Sequence, residues 1–319
     1  MPKITEHLAT ANGKTLFSLE ILPPLKGESI QSIFRAIEPL MEFKPPFIDV
    51  TYHRAEYVEM PHPNGGFQKK ITRKRPGTVG ICAAIMNRFQ VDAVPHIICG
   101  GFSKEETEDA LIDLQFLGIE NVLALRGDAM KGETSFKPDP DGNQTSLELV
   151  EQIKDMNVGN FLHELSHNAA PTNFCIGVSG YPEKHFDAPN LSTDISWLKR
   201  KIDAGAEYIV TQMFFDNTAY FKFVDKVRAA GITVPIIPGL KPLVTKRQLS
   251  ALPRLFHIDI PEDLVNAVMA AKDDATAKEI GIEWCINQSK ELMASGVPVL
   301  HYYSMSKSDS IKKIATELF

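Results

Sequence analysis

Glu20 ends the apolar run Leu16-Phe17-Ser18-Leu19, just before Pro23-Pro24. A carboxyl group in apolar surroundings keeps its proton to higher pH, so the placement reads as a general acid. A buried carboxylate paired with a basic neighbour accounts for the same residue. Further along, Val122-Leu123-Ala124-Leu125 runs into Arg126-Gly127-Asp128. Gly127 lets a ligand approach the backbone closely, and Asp128 offers an acceptor to ring N–H groups. His96 follows Pro95 on an apolar run and reads equally as a ligand contact or a satisfied core histidine. Gln212 sets an amide against the apolar wall Met213-Phe214-Phe215. One pattern pulls elsewhere: His163-Glu164-Leu165-Ser166-His167 matches H-E-x-x-H, in which two imidazoles on one helix face hold zinc and the glutamate acts as base. Asn168 and Pro171 would end such a helix quickly, and no third ligand follows. An outer-face helix with exposed histidines is the preferred reading, with catalytic zinc as the alternative.

These residues sit at the ends of short apolar, β-rich runs: residues 16–20, 47–51, 94–96, 122–128, 176–181, 208–212, 236–241 and 297–303. Runs of this kind read as buried parallel strands with helices on their outer faces. Helical patterning fills 29–41, 103–118, 191–204, 217–230, 273–295 and 308–319. Ser103 with Glu106 forms a capping box, and Gly118, Gly231 and Gly296 close helices. Eight strands, each followed by helical material, predict a (β/α)8 TIM barrel, an α/β fold in one domain over residues 1–319 with a terminal helix at 308–319. A doubly wound open sheet is the rival, but no G-x-G-x-x-G follows the first strand. The least structured stretch, 129–146, is expected to be a long loop after the fourth strand, on the catalytic face. If the polar strand ends share one rim, that rim brings together a carboxylate, an imidazole, an Arg-Asp pair and an amide.

The 319 residues carry a net charge of −6, and nearly half are apolar. That balance excludes a general nucleic-acid or anionic-membrane binder. Lys69-Lys70 and Arg73-Lys74-Arg75 form the one dense basic run, read as the solvated face of a helix or loop. Cys82, Cys99, Cys175 and Cys285 have no framework spacing and fit small buried hydrophobes in a reducing cytoplasm. The first residues show no hydrophobic signal core, and no uncharged run is long enough to span a membrane. Cytoplasmic localisation is expected.

Taken in order, these motifs resemble one family. They are Phe17-Ser18-Leu19-Glu20 with Pro23-Pro24, Asp49-Val50-Thr51, Pro95-His96 and Leu123-Ala124-Leu125-Arg126-Gly127-Asp128. After them come Gly180-Tyr181-Pro182-Glu183-Lys184-His185, Leu198-Lys199-Arg200-Lys201-Ile202-Asp203-Ala204-Gly205-Ala206, Thr211-Gln212-Met213-Phe214-Phe215-Asp216 and Ile237-Pro238-Gly239. Each is weak alone; eight in sequence, across nearly the whole chain, resemble methylenetetrahydrofolate reductase. The resemblance implies a (β/α)8 barrel that holds FAD at the C-terminal rim. It implies that Thr51, Tyr52, His96, Arg126, Gly127, Asp128, Tyr181, His185, Ala188, Asp194, Arg200 and Lys201 surround the FAD, with Arg200 and Lys201 at its pyrophosphate. Glu20, Gln212, Gln248 and Lys307 are implied at the folate. The implied reaction is ping-pong: NADH or NADPH reduces the flavin, and the flavin then reduces methylenetetrahydrofolate to 5-methyltetrahydrofolate, supplying methyl groups for methionine synthesis. Glu20 would protonate N10 of the folate, with its pKa raised by burial in the first strand, and Asp128 would orient the folate and tune the flavin.

Departures from the family pattern are His53-Arg54 in place of small residues, a longer 129–146 loop, Leu252 where some relatives have an aromatic, and Lys307 for an Arg. The resemblance also implies a homo-oligomer, no nucleic-acid or membrane partner, no metal and no appended regulatory domain. A zinc hydrolase on residues 163–167, a flavin-free folate-binding methyltransferase barrel and a non-catalytic scaffold are the competing expectations.

Overall fold

A computed structural model describes residues 2–130, 132–163, 169–305 and 307–319. In chain order its strands are β1 (Leu16–Ile21), β2 (Phe47–Val50), β3 (Glu56–Pro61), β4 (Phe67–Thr72), β5 (Asp92–Ile98), β6 (Asn121–Leu125), β7 (Cys175–Gly180), β8 (Tyr208–Thr211), β9 (Ile236–Ile237), β10 (Gly239–Leu240) and β11 (Val299–Tyr303). All except β3 and β4 form one parallel sheet in the order β10-β11-β1-β2-β5-β6-β7-β8-β9. β9 and β10 are halves of a single strand interrupted at Pro238, which has no N–H to give a ladder. His301 N donates to Pro238 O at 3.1 Å, carrying the pairing across the break. The sheet therefore closes into eight staves, the (β/α)8 barrel that the strand count predicts.

Alternation along the staves divides the core. Outward residues such as Leu19, Ile48, Val122, Ile176, Ile209 and Leu300 pack under the surrounding helices. Inward residues Phe47, Val94, Leu123, Cys175, Tyr208, Ile237 and Val299 fill the lower barrel together with Ile4. Ile4 belongs to a helix, Ile4–Thr10, that plugs the bottom. Its first amide donates to Asn121 Oδ1 at 2.8 Å, and His7 Nε2 lies 2.5 Å from Asp92 Oδ2. Asp92 and Asn121 open β5 and β6, so this is the end where the strands begin. Chemistry is left to the opposite mouth.

The helices Lys104–Phe116, Leu191–Asp203, Asn217–Ala229, Asp274–Ala294 and Asp309–Leu318 fall where the pattern predicts them. The first carries the Ser103–Glu106 capping box. The stretch expected as one helix over 29–41 is an α-helix, Gln31–Ile37, followed by a 3-10 turn, Glu38–Phe43. Pro39 removes an amide donor there and forces the change. Helices Ile4–Thr10, Thr78–Phe89, Ser146–Asn157, Gln248–Phe256 and Glu262–Ala270 were not anticipated by the pattern.

The basic run is not on a helix or a simple loop. Lys69 and Lys70 lie on β4 of an exposed antiparallel hairpin with β3, and the three residues beyond it turn back onto the barrel. The Arg75 guanidinium donates to Pro23 O, and that of Arg73 lies over the rings of Tyr52 and Phe102. Lys74 pairs with Glu56 at 2.7 Å. All four cysteines are buried and unlinked. Burial pushes the Cys99 and Cys285 thiols up to about 12 and Cys175 to about 11. Among the described residues no helix is long and apolar enough to cross a membrane.

Gly281, inside the helix Asp274–Ala294, lets that helix lie directly against the chain leaving the seventh stave. A Cβ there would overlap the carbonyl oxygen and carbon of Leu243, which are backbone atoms with little freedom to give. Gly281→Ala is expected to destabilise the protein by about 1–3 kcal/mol, the scale of overpacking a close contact. A fall in the urea midpoint with an unchanged m-value would register it.

Candidate active site

The upper barrel replaces apolar side chains with ionisable ones. Glu20 pairs in register with Asp49 on one side and Tyr303 on the other. Alternation turns all three inward, together with His96 of β5 and His301 of β11. Asp49 is 1 % exposed and His96 4 %. Thr51 Oγ1 donates to Glu20 Oε1 at 2.5 Å. His96 Nε2 stands 3.6 Å from Glu20 Oε2 and 3.5 Å from Asp49 Oδ2, and His301 Nε2 stands 4.0 Å from Glu20 Oε2. Those separations are ion-pair distances, longer than a formed hydrogen bond. Both Asp49 oxygens, His96 Nε2 and His301 Nε2 accordingly lack a hydrogen-bond partner. Ser18 Oγ holds His301 Nδ1 at 2.8 Å. When the hydroxyl is the donor, the ring proton resides on Nε2, facing Glu20.

This geometry corrects one expectation. Burial alone would raise the proton affinity of Glu20, as the sequence suggests. Here the charge of His96 and the imidazole of His301, with the Thr51 hydrogen bond, outweigh burial and hold the Glu20 carboxyl below its ordinary value of 4.5. The same pairing works in reverse on His96. Burial favours its neutral ring, but Glu20 and Asp49 raise its pKa above 6.5. Both shifts favour the proton on His96 over Glu20. Both partners were quoted in the sequence, yet the pairing joins β1 to β5 and β11, strands far apart in the chain.

On the neighbouring arc of the rim, Arg126 pairs with Asp187 at 2.7 Å and lies over Phe136 with 5.0 Å to the ring centre. Phe136 belongs to the long loop expected over 129–146, which runs until the helix Ser146–Asn157 begins. Gly127 has φ +85, and a Cβ there would contact Ile98. Asp128 is exposed, and its carbonyl accepts from Arg54 Nη1 at 2.9 Å. Tyr181 stands edge-on to His185, centres 4.8 Å apart, and Ser179 Oγ donates to its hydroxyl at 3.1 Å. Burial pushes the Tyr181 phenol up to about 12. Burial and Arg126 bring the His185 imidazole down to about 4. His185 N donates to Asp194 at 2.8 Å, and Ala188 N donates to the His185 carbonyl at 3.0 Å. Lys201 Nζ donates to Ser179 O at 3.3 Å, and burial brings its ammonium down to about 8. Arg200, by contrast, is exposed and stacks over Trp197 at 4.1 Å, away from this group. Tyr52 packs against Phe102, its buried hydroxyl without a partner.

The remaining expected contacts are spread along the rim. Gln212 Oε1 accepts from Met213 N at 2.9 Å, and Gln248 Oε1 accepts from Val244 N at 2.7 Å, so each oxygen is engaged by its own loop. Lys307 is exposed beyond β11. Residues 161–163 are not helical, and His163 Nε2 lies 2.5 Å from Glu105 on the outer surface. The rest of that pattern, Glu164 to His167, lies outside the described residues. Among the described residues no cluster of three or more candidate ligands is placed to hold a metal. Sequence reasoning missed Asp49, Ser18 and His301 as site residues. Their signal was available: each is a polar residue at an inward position of a buried strand.

The Glu20–His96 pair has a defined pH window. The carboxylate's contribution to stability is present above 4.5 and lost as pH falls through its lowered folded value. The imidazolium's is present below 6.5 and lost as pH rises through its raised folded value, so both are full between those limits. Glu20→Gln removes the carboxylate and is expected to lower the His96 titration midpoint by about one pH unit. NMR of the His96 ring protons would measure the shift.

The family profile described as Methylenetetrahydrofolate reductase matches residues 3–318. Methylenetetrahydrofolate reductase 1 of Schizosaccharomyces pombe is 32 % identical over 96 % of this chain and 46 % of its own length. A rice protein named probable methylenetetrahydrofolate reductase (NADH) is 31 % identical over 99 % of this chain and 50 % of its own. The 5,10-methylenetetrahydrofolate reductase of Escherichia coli is 30 % identical over 96 % of this chain and 91 % of its own. The chain thus spans about half the length of the first two and most of the third.

Proposed function

The chain belongs to the methylenetetrahydrofolate reductase family, and on that premise we propose that it reduces 5,10-methylenetetrahydrofolate to 5-methyltetrahydrofolate with FAD and NAD(P)H. The observation that carries this reading is the inward group of Glu20, Asp49, His96 and His301, an acid with its own proton store at the mouth of a closed barrel. Related proteins are named for NADH in rice and for NADPH in Caenorhabditis elegans, so the donor is taken as a nicotinamide dinucleotide of either kind.

The residues fit a flavin dinucleotide. Buried polar atoms without partners, on Asp49, His96 and Tyr52, surround the seat, and Gly127 keeps the rim open to close approach. Lys201 and Arg126 provide cations for a pyrophosphate, while Thr51, Tyr181, His185, Ala188, Asp194 and Asp128 border the same arc. The exposed stack on Trp197 leaves Arg200 less suited to that role. Bound FAD supplies the hydride carrier between the nicotinamide and the folate methylene carbon.

The protein's own residues do the proton work. His96 holds the proton beside Glu20, with Asp49 behind it favouring the charged ring. As substrate closes the mouth and excludes water, the proton passes to Glu20, and Glu20 delivers it to N10. That protonation opens the five-membered ring and leaves the methylene carbon electrophilic. Gln212 and Gln248 are assigned to the folate through their amide N–H groups, which have no hydrogen-bond partner among the described residues, while their oxygens are engaged by the protein. Lys307, exposed beyond β11, is assigned to the glutamate tail in this reading. Assembly into a homo-oligomer, work in the cytoplasm and methyl supply for methionine synthesis belong to the same reading.

The purified protein is expected to be yellow, or to become so on addition of FAD, and to bleach anaerobically with NADH or NADPH. In Glu20→Gln the bound flavin should still be reduced by NAD(P)H, while folate reduction falls by about 10²–10⁴-fold, the range of a lost general acid. Stopped-flow measurement of the two half-reactions separates them; equal losses in both would overturn the role of Glu20.

A further inference from the structure

Lys241 follows β10 at the end of the seventh stave, and neither the mechanism above nor the family motifs use it. Gly239 pairs with His301 and Leu240 with Tyr302, so the next residue stands level with Tyr303. Tyr303 in turn pairs with Glu20. Lys241, Tyr303 and Glu20 therefore occupy one level on three adjacent staves. Leu240 packs in the outer core, which turns Lys241 to the inward side. The lysine is 7 % exposed, and among the described residues it has no hydrogen-bond or ion-pair partner. An ammonium held mostly out of water is unfavourable unless charge nearby compensates it. Burial outweighs the opposing charge of Glu20 and leaves the ammonium at about 8.

Counting formal charges gives the lysine a role. With the proton on His96, the cavity holds two carboxylates, Glu20 and Asp49, and two cations, His96 and Lys241. When the His96 N–H bond breaks and an O–H bond forms on Glu20, one anion and one cation disappear together. Asp49 and Lys241 remain as a balanced pair, so the proton moves without leaving net charge in the barrel. We infer that Lys241 is a positioning residue for this proton transfer, acting through Glu20 to set how readily that carboxylate takes up the proton. The inference rests on the reductase reading for the identity of the substrate, but the coupling of the two side chains stands apart from it. Thr51, Asp49, His96, His301, Tyr303 and His53 also lie within electrostatic reach of Glu20, and Cys285 of the helix Asp274–Ala294 within that of Lys241.

The test follows the Glu20 carboxyl directly. In infrared titration of the full chain as purified, the acid C=O band of Glu20 is the one lost in Glu20→Gln. Lys241→Met removes the cation and is expected to raise the midpoint of that band by about one pH unit. Lys241→Arg keeps the charge and should leave the midpoint near the original value. The alkaline limb of the folate half-reaction should move upward with Lys241→Met in the same direction. An unmoved Glu20 midpoint in Lys241→Met, or an equal shift in Lys241→Arg, would overturn the inference. Lys241→Gln repeats the measurement if the Met variant fails to fold. Should the original protein reduce no methylenetetrahydrofolate, the reductase reading fails, while the infrared midpoints still decide whether Lys241 acts on Glu20.

Discussion

A carboxylate shut inside a barrel must have a cation beside it, and the upper half of this molecule is arranged around that requirement. Water cannot drain through the bottom, because the helix Ile4–Thr10 and a layer of inward apolar side chains seal it. The only escape for charge is sideways, onto neighbouring staves, or upward to the mouth. Parallel pairing fixes which residues share a level, so Glu20 meets Asp49 and Tyr303 through register alone. The imidazole of His96 arrives from β5 to neutralise what the carboxylates bring, and His301 from β11 stands 4.0 Å from Glu20. The result is a site whose ionisation is set by strand geometry before any ligand enters.

The eight staves were legible because each is a short apolar run with β-branched residues and no other way to bury its backbone. The break at Pro238 was legible as a residue but not as a split strand, since the neighbouring stave supplies the bond that bridges it. The hairpin of β3 and β4 was not legible. Its strands have no core face, and its charged residues read equally well as a solvated loop. The helix expected over 29–41 lost its second half to Pro39, where a missing amide outweighs the apolar stripe.

The site divided in the same way. Residues at the polar ends of strands, Glu20, His96 and Gln212 among them, came into view from position alone. The ionisation of Glu20 did not, because burial and pairing act in opposite directions and only the partners' distances decide between them. Arg200 and Lys201 adjoin in sequence, yet the helical twist sends one to the Ser179 carbonyl and the other to Trp197 outside. His301 and Lys241 needed the closed ring, since β11 and β10 reach β1 only through closure, whereas Asp49 needed only the register of β1 on β2.

The four buried cysteines have a practical meaning. A thiol reacts as its thiolate, and burial that keeps protons on these sulfurs also keeps reagents away from them. The native protein thus presents a blank background to maleimides and other sulfhydryl labels. A cysteine introduced on the exposed hairpin would be the single addressable handle, ready for a fluorophore or spin probe without prior removal of the natural thiols.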